Sequence, residues 1–290
     1  MNRIHQLYAW LMLLPALVML FAFTHAPTLS TVWHSLLSPA RGGRPQTFAG
    51  LSNYRMMLED DVFWQTLTNN LWYAAGTVPS SIVLAVAMAL WVNSGMAGRT
   101  LLRLAYFTPT MLPMIAVANI WLFFYTPEVG LFNKLLTLAG QEGINWLGDP
   151  KWALRSLMLM TVWKEAGFFM IFYLAALQSL NREMYQAAEL EGASCWRIFR
   201  RITLPLLMPT TLFVLVNAVL NAFKLVDHLF ILTKGGPNNA SNLLLYYIYE
   251  NAFSFFNSTY AATLTVVLLS ILILLALVLF GLIERRVHYR

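Results

Sequence analysis

Lys164 and Glu165 interrupt a long uncharged run and sit among Trp163, Phe168, Phe169, Phe172 and Tyr173. A carboxylate beside aromatic faces suits a ligand whose hydroxyls need acceptors and whose C–H faces stack on rings. Adjacent side chains on a helix diverge by about 100°, so the two charges cannot both point straight into one cavity. Glu165 shares its side with Phe169 and Phe172. A second constellation is Asn217, Asn221, Lys224 and His228, spaced i, i+4, i+7 and i+11 along one side of a helix, with Asp227 three residues after Lys224. Two readings stand for both groups: they line a passage for a hydroxylated solute, or they fasten their helices to neighbouring ones.

No catalytic arrangement competes with these. His5, His25, His34, His228 and His288 are scattered, and no HExxH or GxSxG string occurs, so neither a metal site nor a nucleophile elbow is expected. The single cysteine, Cys195, excludes an internal disulfide framework or a multi-cysteine cluster. Nothing resembles GxxxxGK[ST], so the chain has no loop of that kind to cradle ATP phosphates and is not expected to hydrolyse ATP itself.

The elements that must position these residues are membrane helices. The chain has 290 residues, of which 59% are hydrophobic and 11% charged, which is far from a soluble composition. Long uncharged runs predict six spans near Tyr8 to Trp33, Thr68 to Val92, Leu101 to Tyr125, Trp152 to Leu180, Thr203 to Phe230 and Tyr260 to Ile283. Runs such as LTVVLLSILILLALVLF are apolar on every side, which fits helices and not the alternation of a barrel. The expectation is an all-α polytopic membrane protein with six transmembrane helices, forming a single domain over residues 1–290. The net charge of +6 is explained by loop charges set by topology, and no nucleic-acid partner is expected. The tails and even-numbered loops carry ten Lys/Arg against four acidic residues, and the odd-numbered loops, with Lys224 and Asp227 counted alongside the last, eight against eight. That asymmetry places both termini in the cytoplasm. Arg3 ahead of the first apolar core also allows that span to be read as a cleavable signal, with the same orientation.

The loop between spans four and five, residues 180–205, is the informative one. Asn181 is placed to cap a helix of good formers that stops at Gly192, and Ser194 to cap a second helix running toward Pro205. On the second helix Trp196, Phe199 and Ile202 share a side, while Arg197, Arg200 and Arg201 suit anionic headgroups of membrane lipid. Ala187 and Ala188 leave the first helix thin enough for another protein's groove to close around it, although an ordinary charged loop has the same composition.

The string AAxxEGAxxxxxFRRITLPLLMP, from Ala187 to Pro209, resembles the EAA loop of binding-protein-dependent ABC importer permeases. FAGLSNYRMML, YFTPTMLP, ILTKGGPNNAS, YIYENAF and the basic end ERRVHYR are similar to the sugar-type permeases that include the maltose and sn-glycerol-3-phosphate systems. The resemblance implies the type I importer permease fold and a transmembrane subunit that admits a carbohydrate or polyol to the cytoplasm of a bacterium or archaeon. A phosphate ester stays within that substrate class. By the same resemblance Gln186, Ala187, Ala188, Glu189, Glu191, Gly192 and Ala193 form the coupling loop. Glu165, Phe169, Asn217, Asn221, Lys224, Asp227 and His228 are the candidates for the pathway. ATP and Mg would sit on two separate ATP-binding subunits, leaving this chain without a cofactor. A second homologous permease and an extracytoplasmic substrate-binding protein complete the implied assembly. The family's leading glutamate is Gln186 here, which keeps hydrogen bonding and loses an ion pair, and its aspartate before Gly-Ala is Glu191. The competing mechanism is a carrier driven by an ion gradient through Lys164, Glu165, Asp227 and His228.

Overall fold

The computed structural model describes residues 3–39, 45–94 and 98–283. The basic end at residues 284–290, and with it the expected side of the C-terminal tail, lies outside them. In chain order the α-helices are α1 (Arg3–Leu20), α2 (Ala26–Ser35), α3 (Ser52–Leu58), α4 (Asp61–Asn93), α5 (Arg99–Met111), α6 (Met114–Tyr125), α7 (Leu131–Leu138) and α8 (Pro150–Ser179). They continue as α9 (Arg182–Leu190), α10 (Cys195–Ile198), α11 (Leu204–Leu206), α12 (Met208–Lys224), α13 (Asp227–Leu232), α14 (Leu244–Tyr249) and α15 (Ser258–Ile283). Short π-helical turns join α1 to α2, α10 to α11 and α14 to the loop before α15. Among the described residues five helical segments are long and apolar enough to cross a membrane, and a sixth is counted if the bent pair α5 and α6 is one span.

The chain divides into two compact units, Met1–Phe63 with Tyr247–Ile271 and Trp64–Tyr246 with Leu272–Arg290. In the first, the apolar residues from Trp10 to Leu20 of α1 are exposed, as befits a helix surrounded by lipid. Two of its residues each tie several polar groups together. Asn53 donates to the carbonyls of Ser35 and Leu37 at 2.9 and 2.8 Å, fastening α3 to the end of α2. Asp60 caps α4 by accepting from the Val62 amide at 2.9 Å, and it also accepts the hydroxyls of Tyr247 and Tyr260 at 2.6 and 2.5 Å. Burial, then the bond to Asp60, pushes the Tyr247 hydroxyl up to about 12, so it stays a proton donor at any physiological pH.

The second unit is organised around α8. In lipid, helices gain little from burying apolar surface against one another, so close packing and interhelical hydrogen bonds must hold them. α8 supplies both: Ala153, Ser156, Thr161, Ala166 and Gly167 are buried along it. Gly167 lies so close to α5 that a Cβ there would collide with the Tyr106 carbonyl oxygen. The Tyr125 hydroxyl of α6 donates to the Ser156 carbonyl at 2.7 Å, and the Tyr173 hydroxyl donates to Thr211 of α12 at 3.2 Å.

The third expected span is not one straight helix. α5 and α6 meet at 104°. Pro113 has no N–H to give the Pro109 carbonyl, and the residue before a proline is pushed out of the α region. Leu112 accordingly sits at φ −80, ψ 139, and Pro113 at φ −56, ψ 144. Two consecutive extended residues end the helix and orphan its last carbonyls within an apolar segment, where donors are scarce. Lys164 of α8 supplies the missing donors: its ammonium bonds the Pro109 oxygen at 3.0 Å and the Leu112 oxygen at 2.7 Å. A cation at a helix C-terminus also opposes the negative end of the helix dipole.

Lys164→Met should therefore leave two carbonyls unpaired and cost roughly 2–4 kcal/mol, read as a lowered melting temperature of the detergent-purified protein. Lys164→Arg should keep most of the stability. Equal melting of Lys164→Met and wild type would mean that the break is held by packing alone.

Candidate functional site

Glu165 follows Lys164 by one residue and so leaves α8 in another direction, toward α12. Its Oε2 accepts from the Asn221 amide at 2.9 Å. Thr77, Val78 and Ser81 of α4, Thr161, Glu165 and Phe169 of α8, and Ala218, Asn221 and Ala222 of α12 surround a cavity of about 10 Å³. That space holds about one water molecule and no sugar ring. Three of the expected pathway residues, Glu165, Phe169 and Asn221, are thus together at one site between three helices.

The remaining four are not on it. Asn217 turns back on its own helix and donates to the Phe213 carbonyl at 2.7 Å. The helix that was to carry the stripe ends at Lys224; Leu225 is extended at φ −86, ψ 111, and a new helix starts at Asp227. The break separates His228 from the three positions on α12, so the i, i+4, i+7, i+11 line is not continuous. Lys224 and Asp227 are exposed on either side of it. His228 is fully buried, and its Nε2 lies 3.0 Å from the Tyr73 hydroxyl. Phe169 is also buried, 1% exposed, whereas its neighbour Phe168 is 40% exposed and leads a row of rings through Phe172 to Phe213 at centroid spacings of 5.2 and 5.1 Å.

A polar stripe does exist, on α4. Thr66, Asn70, Tyr73, Thr77 and Ser81 are spaced by four, three, four and four residues, and all five are buried. Asn70 donates to the Ala222 carbonyl at 3.0 Å and accepts from the Leu244 amide at 2.8 Å, which satisfies the end of α12 and the start of α14. Tyr73 joins Thr161 at 2.6 Å and His228 at 3.0 Å, so a single hydroxyl ties α4 to α8 and α13. Thr77 and Ser81 continue the stripe to the Glu165 cavity. None of these residues is charged, which is why a search for charges passes over them; their helical spacing is the signal that finds them.

The loop after α8 has the local structure its residues dictate. Asn181 accepts from the Glu183 amide at 2.9 Å and starts α9, and Gly192 ends it at φ +73, a conformation that costs glycine little. Ser194 caps the next helix through the Arg197 amide at 3.4 Å. Gln186, Ala187, Glu189, Glu191 and Gly192 are exposed, Ala193 is half-buried and Ala188 is buried. Leu190 is 91% exposed, a large apolar side chain offered outward at the end of α9, and it was not among the expected loop contacts. On the inward side the Tyr185 hydroxyl lies 3.1 Å from that of Thr203, within the π-turn that leads into the fifth span. Trp196 and Phe199 pack at 5.6 Å between ring centroids. Among the described residues no group of three or more His, Cys, Asp or Glu is arranged to hold a metal ion.

Residues 81–289 match the protein family described as binding-protein-dependent transport system inner membrane component. The sulfoquinovosyl glycerol transport system permease protein SmoG of Agrobacterium fabrum is 33% identical over 92% of this chain and 87% of its own. The trehalose/maltose transport system permease protein MalF of Thermococcus litoralis is 33% identical over 80% and 79%. In three dimensions the chain superposes on a chain from a solved bacterial ABC transporter involved in the import of the acidic polysaccharide alginate. The TM-score is 0.85 at 23% identity, covering 98% of this chain and 96% of that one.

Tyr73→Phe removes the hydroxyl and leaves Thr161 and the His228 Nε2 buried without it. The expected loss is about 1–3 kcal/mol, measured as melting temperature in detergent, with His228→Ala in the Tyr73→Phe background costing less than in wild type. Strict additivity of the two changes would show that the hydroxyl does not link them.

Proposed function

The chain belongs to the family of binding-protein-dependent transport system inner membrane components, and from that premise we propose that it is one permease half of an ATP-driven importer for a carbohydrate or polyol. The observation that carries this reading is the geometry of α9. It is a short capped helix with Ala187 and, at its end, Leu190 exposed and a glycine stop, bonded on its inner side to the π-turn that leads into the fifth span. An exposed apolar residue beside small ones is what a partner's groove needs for a buried anchor. ATP-binding subunits grip α9 from the cytoplasm, and their closure is transmitted through Tyr185 and Thr203 to α12, which bears Asn221. Gln186 contributes a hydrogen bond to that grip where a glutamate would contribute a charge. This orientation puts both termini in the cytoplasm and the turn at Gly235, where φ is +78, outside, where a substrate-binding protein docks. The chain itself carries out no hydrolysis.

Glu165 and Asn221 are the pathway residues in this scheme. In the present conformation they satisfy each other across a cavity too small for substrate. Separation of α8 from α12 exposes a carboxylate acceptor and an amide, both suited to hydroxyl groups, next to the aromatic row that starts at Phe168. The sugar class is supported by the relatives, two of which are named for sulfoquinovosyl glycerol and trehalose/maltose transport. The second permease of the pore is a homologous but different chain.

Asn221→Leu should lower substrate uptake in reconstituted vesicles about tenfold or more while leaving the ATP-binding subunits attached. Gly192→Pro cannot adopt the positive φ that ends α9, and it should abolish substrate-stimulated ATP hydrolysis or release the ATP-binding subunits. Normal uptake in the first variant would reduce the Glu165–Asn221 pair to packing. Normal stimulation in the second would remove the coupling role from the loop.

A further inference from the structure

A cavity of about 720 Å³ lies where the ends of α4 and α8 face the start of α5 and the first turn of α9. It is far larger than the space at Glu165, and its chemistry is of another kind. Arg99 and Arg103 enter it from α5 and Arg182 from α9, with Thr100, Gln178 and Tyr185 beside them, and among the described residues no aspartate or glutamate lines it. Arg99 and Arg103 are four residues apart on one helix, an arrangement in which like charges repel unless an anion lies between them. All three arginines are exposed, so their guanidinium groups are accessible to a ligand. α5 adds to the positive field at its N-terminal end: its N-cap, Gly98, has no side chain to offer an acceptor to the first turn of this 13-residue helix. The carbonyl ends of α4 and α8 oppose this with roughly half a charge each, too little to cancel three guanidinium groups.

We propose that this cavity binds a phosphate ester, with Arg99, Arg103 and Arg182 forking onto the phosphate oxygens and Thr100, Gln178 and Tyr185 completing its hydrogen bonds. Guanidinium groups match phosphate in planar, two-point geometry. The volume exceeds that of a bare phosphate and falls in the range of small-ligand sites, so it has room for the remainder of an ester. Two sources have this chemistry: the headgroup of an anionic phospholipid in the cytoplasmic leaflet, and a soluble phosphate monoester. Either would join the start of α5 to the first turn of α9 and so stiffen the helix that the ATP-binding subunits grip. The cytoplasmic placement of α9 rests on the importer reading, whereas phosphate binding is measured on the purified protein and would persist if that reading failed.

The test uses the full chain purified with whatever subunits accompany it. One arm places it in nanodiscs of phosphatidylcholine with or without phosphatidylglycerol and reads retained lipid by native mass spectrometry. The other titrates inorganic phosphate and phenyl phosphate into phosphatidylcholine nanodiscs and reads the melting temperature. Wild type should retain phosphatidylglycerol preferentially, which assigns the site to lipid, or melt higher with phenyl phosphate, which assigns it to a soluble ester. Arg99→Gln and Arg103→Gln should each weaken that binding about tenfold. Arg103→Lys should weaken it less, and Lys134→Gln, at an exposed basic residue of α7 outside the cavity, should have no effect. The conservative variant keeps the comparison valid should a glutamine variant fold poorly. Absence of both signals in wild type, or binding by Arg99→Gln and Arg103→Gln equal to wild type, would overturn the assignment.

Discussion

A polar group at membrane depth has no water to fall back on, and the second unit is arranged around the consequence of that constraint at one place. Pro113 breaks the third span and leaves the Pro109 and Leu112 carbonyls open, and the Lys164 ammonium is the donor that closes them. The cation thereby fixes how α8 sits against α5, and the absence of a side chain at Gly167 lets the two backbones come within touching distance one turn further along. With α8 set in this way, Glu165 has to emerge on a different side, where it meets Asn221 of α12. Two adjacent charges of opposite sign therefore serve two different contacts, one that holds the scaffold and one that faces the candidate passage.

The same constraint explains the buried uncharged stripe on α4. Each of its hydroxyl and amide groups spares a neighbour from being unpaired: Asn70 completes the end of α12, and Tyr73 joins Thr161 to His228. In lipid such bonds are individually worth about 1 kcal/mol, and their role is as much to choose the register of α4 against α8 and α13 as to add stability. The register matters because Thr77 and Ser81, at the far end of the stripe, line the cavity at Glu165.

Much of this was legible in the sequence wherever the cause is local. The spans follow from uncharged runs, and the loop helix follows from Asn181, Gly192 and Ser194 because caps and left-handed stops act within a few residues. Pro113, which cannot donate a backbone N–H, marks the break of the third span in the same local way. The angle of that break and its closure by Lys164 were not legible, since those depend on which helix lies alongside. The expected stripe from Asn217 to His228 failed because Leu225 and Val226 leave helical geometry with neither proline nor glycine to announce it. The fold itself is confirmed by superposition on a solved ABC transporter chain, and the family by the match over residues 81–289.

The account stands or falls on α9 being held by a separate ATP-hydrolysing subunit. The most direct measurement is to purify this chain from its own membrane in mild detergent, identify its companions by mass spectrometry, and assay the reconstituted preparation for uptake with and without ATP. The account predicts an ATP-binding subunit and a second permease in the complex, with uptake that requires ATP and the external binding protein. Recovery of the chain alone, with uptake driven by a proton or sodium gradient in the absence of ATP, would contradict it.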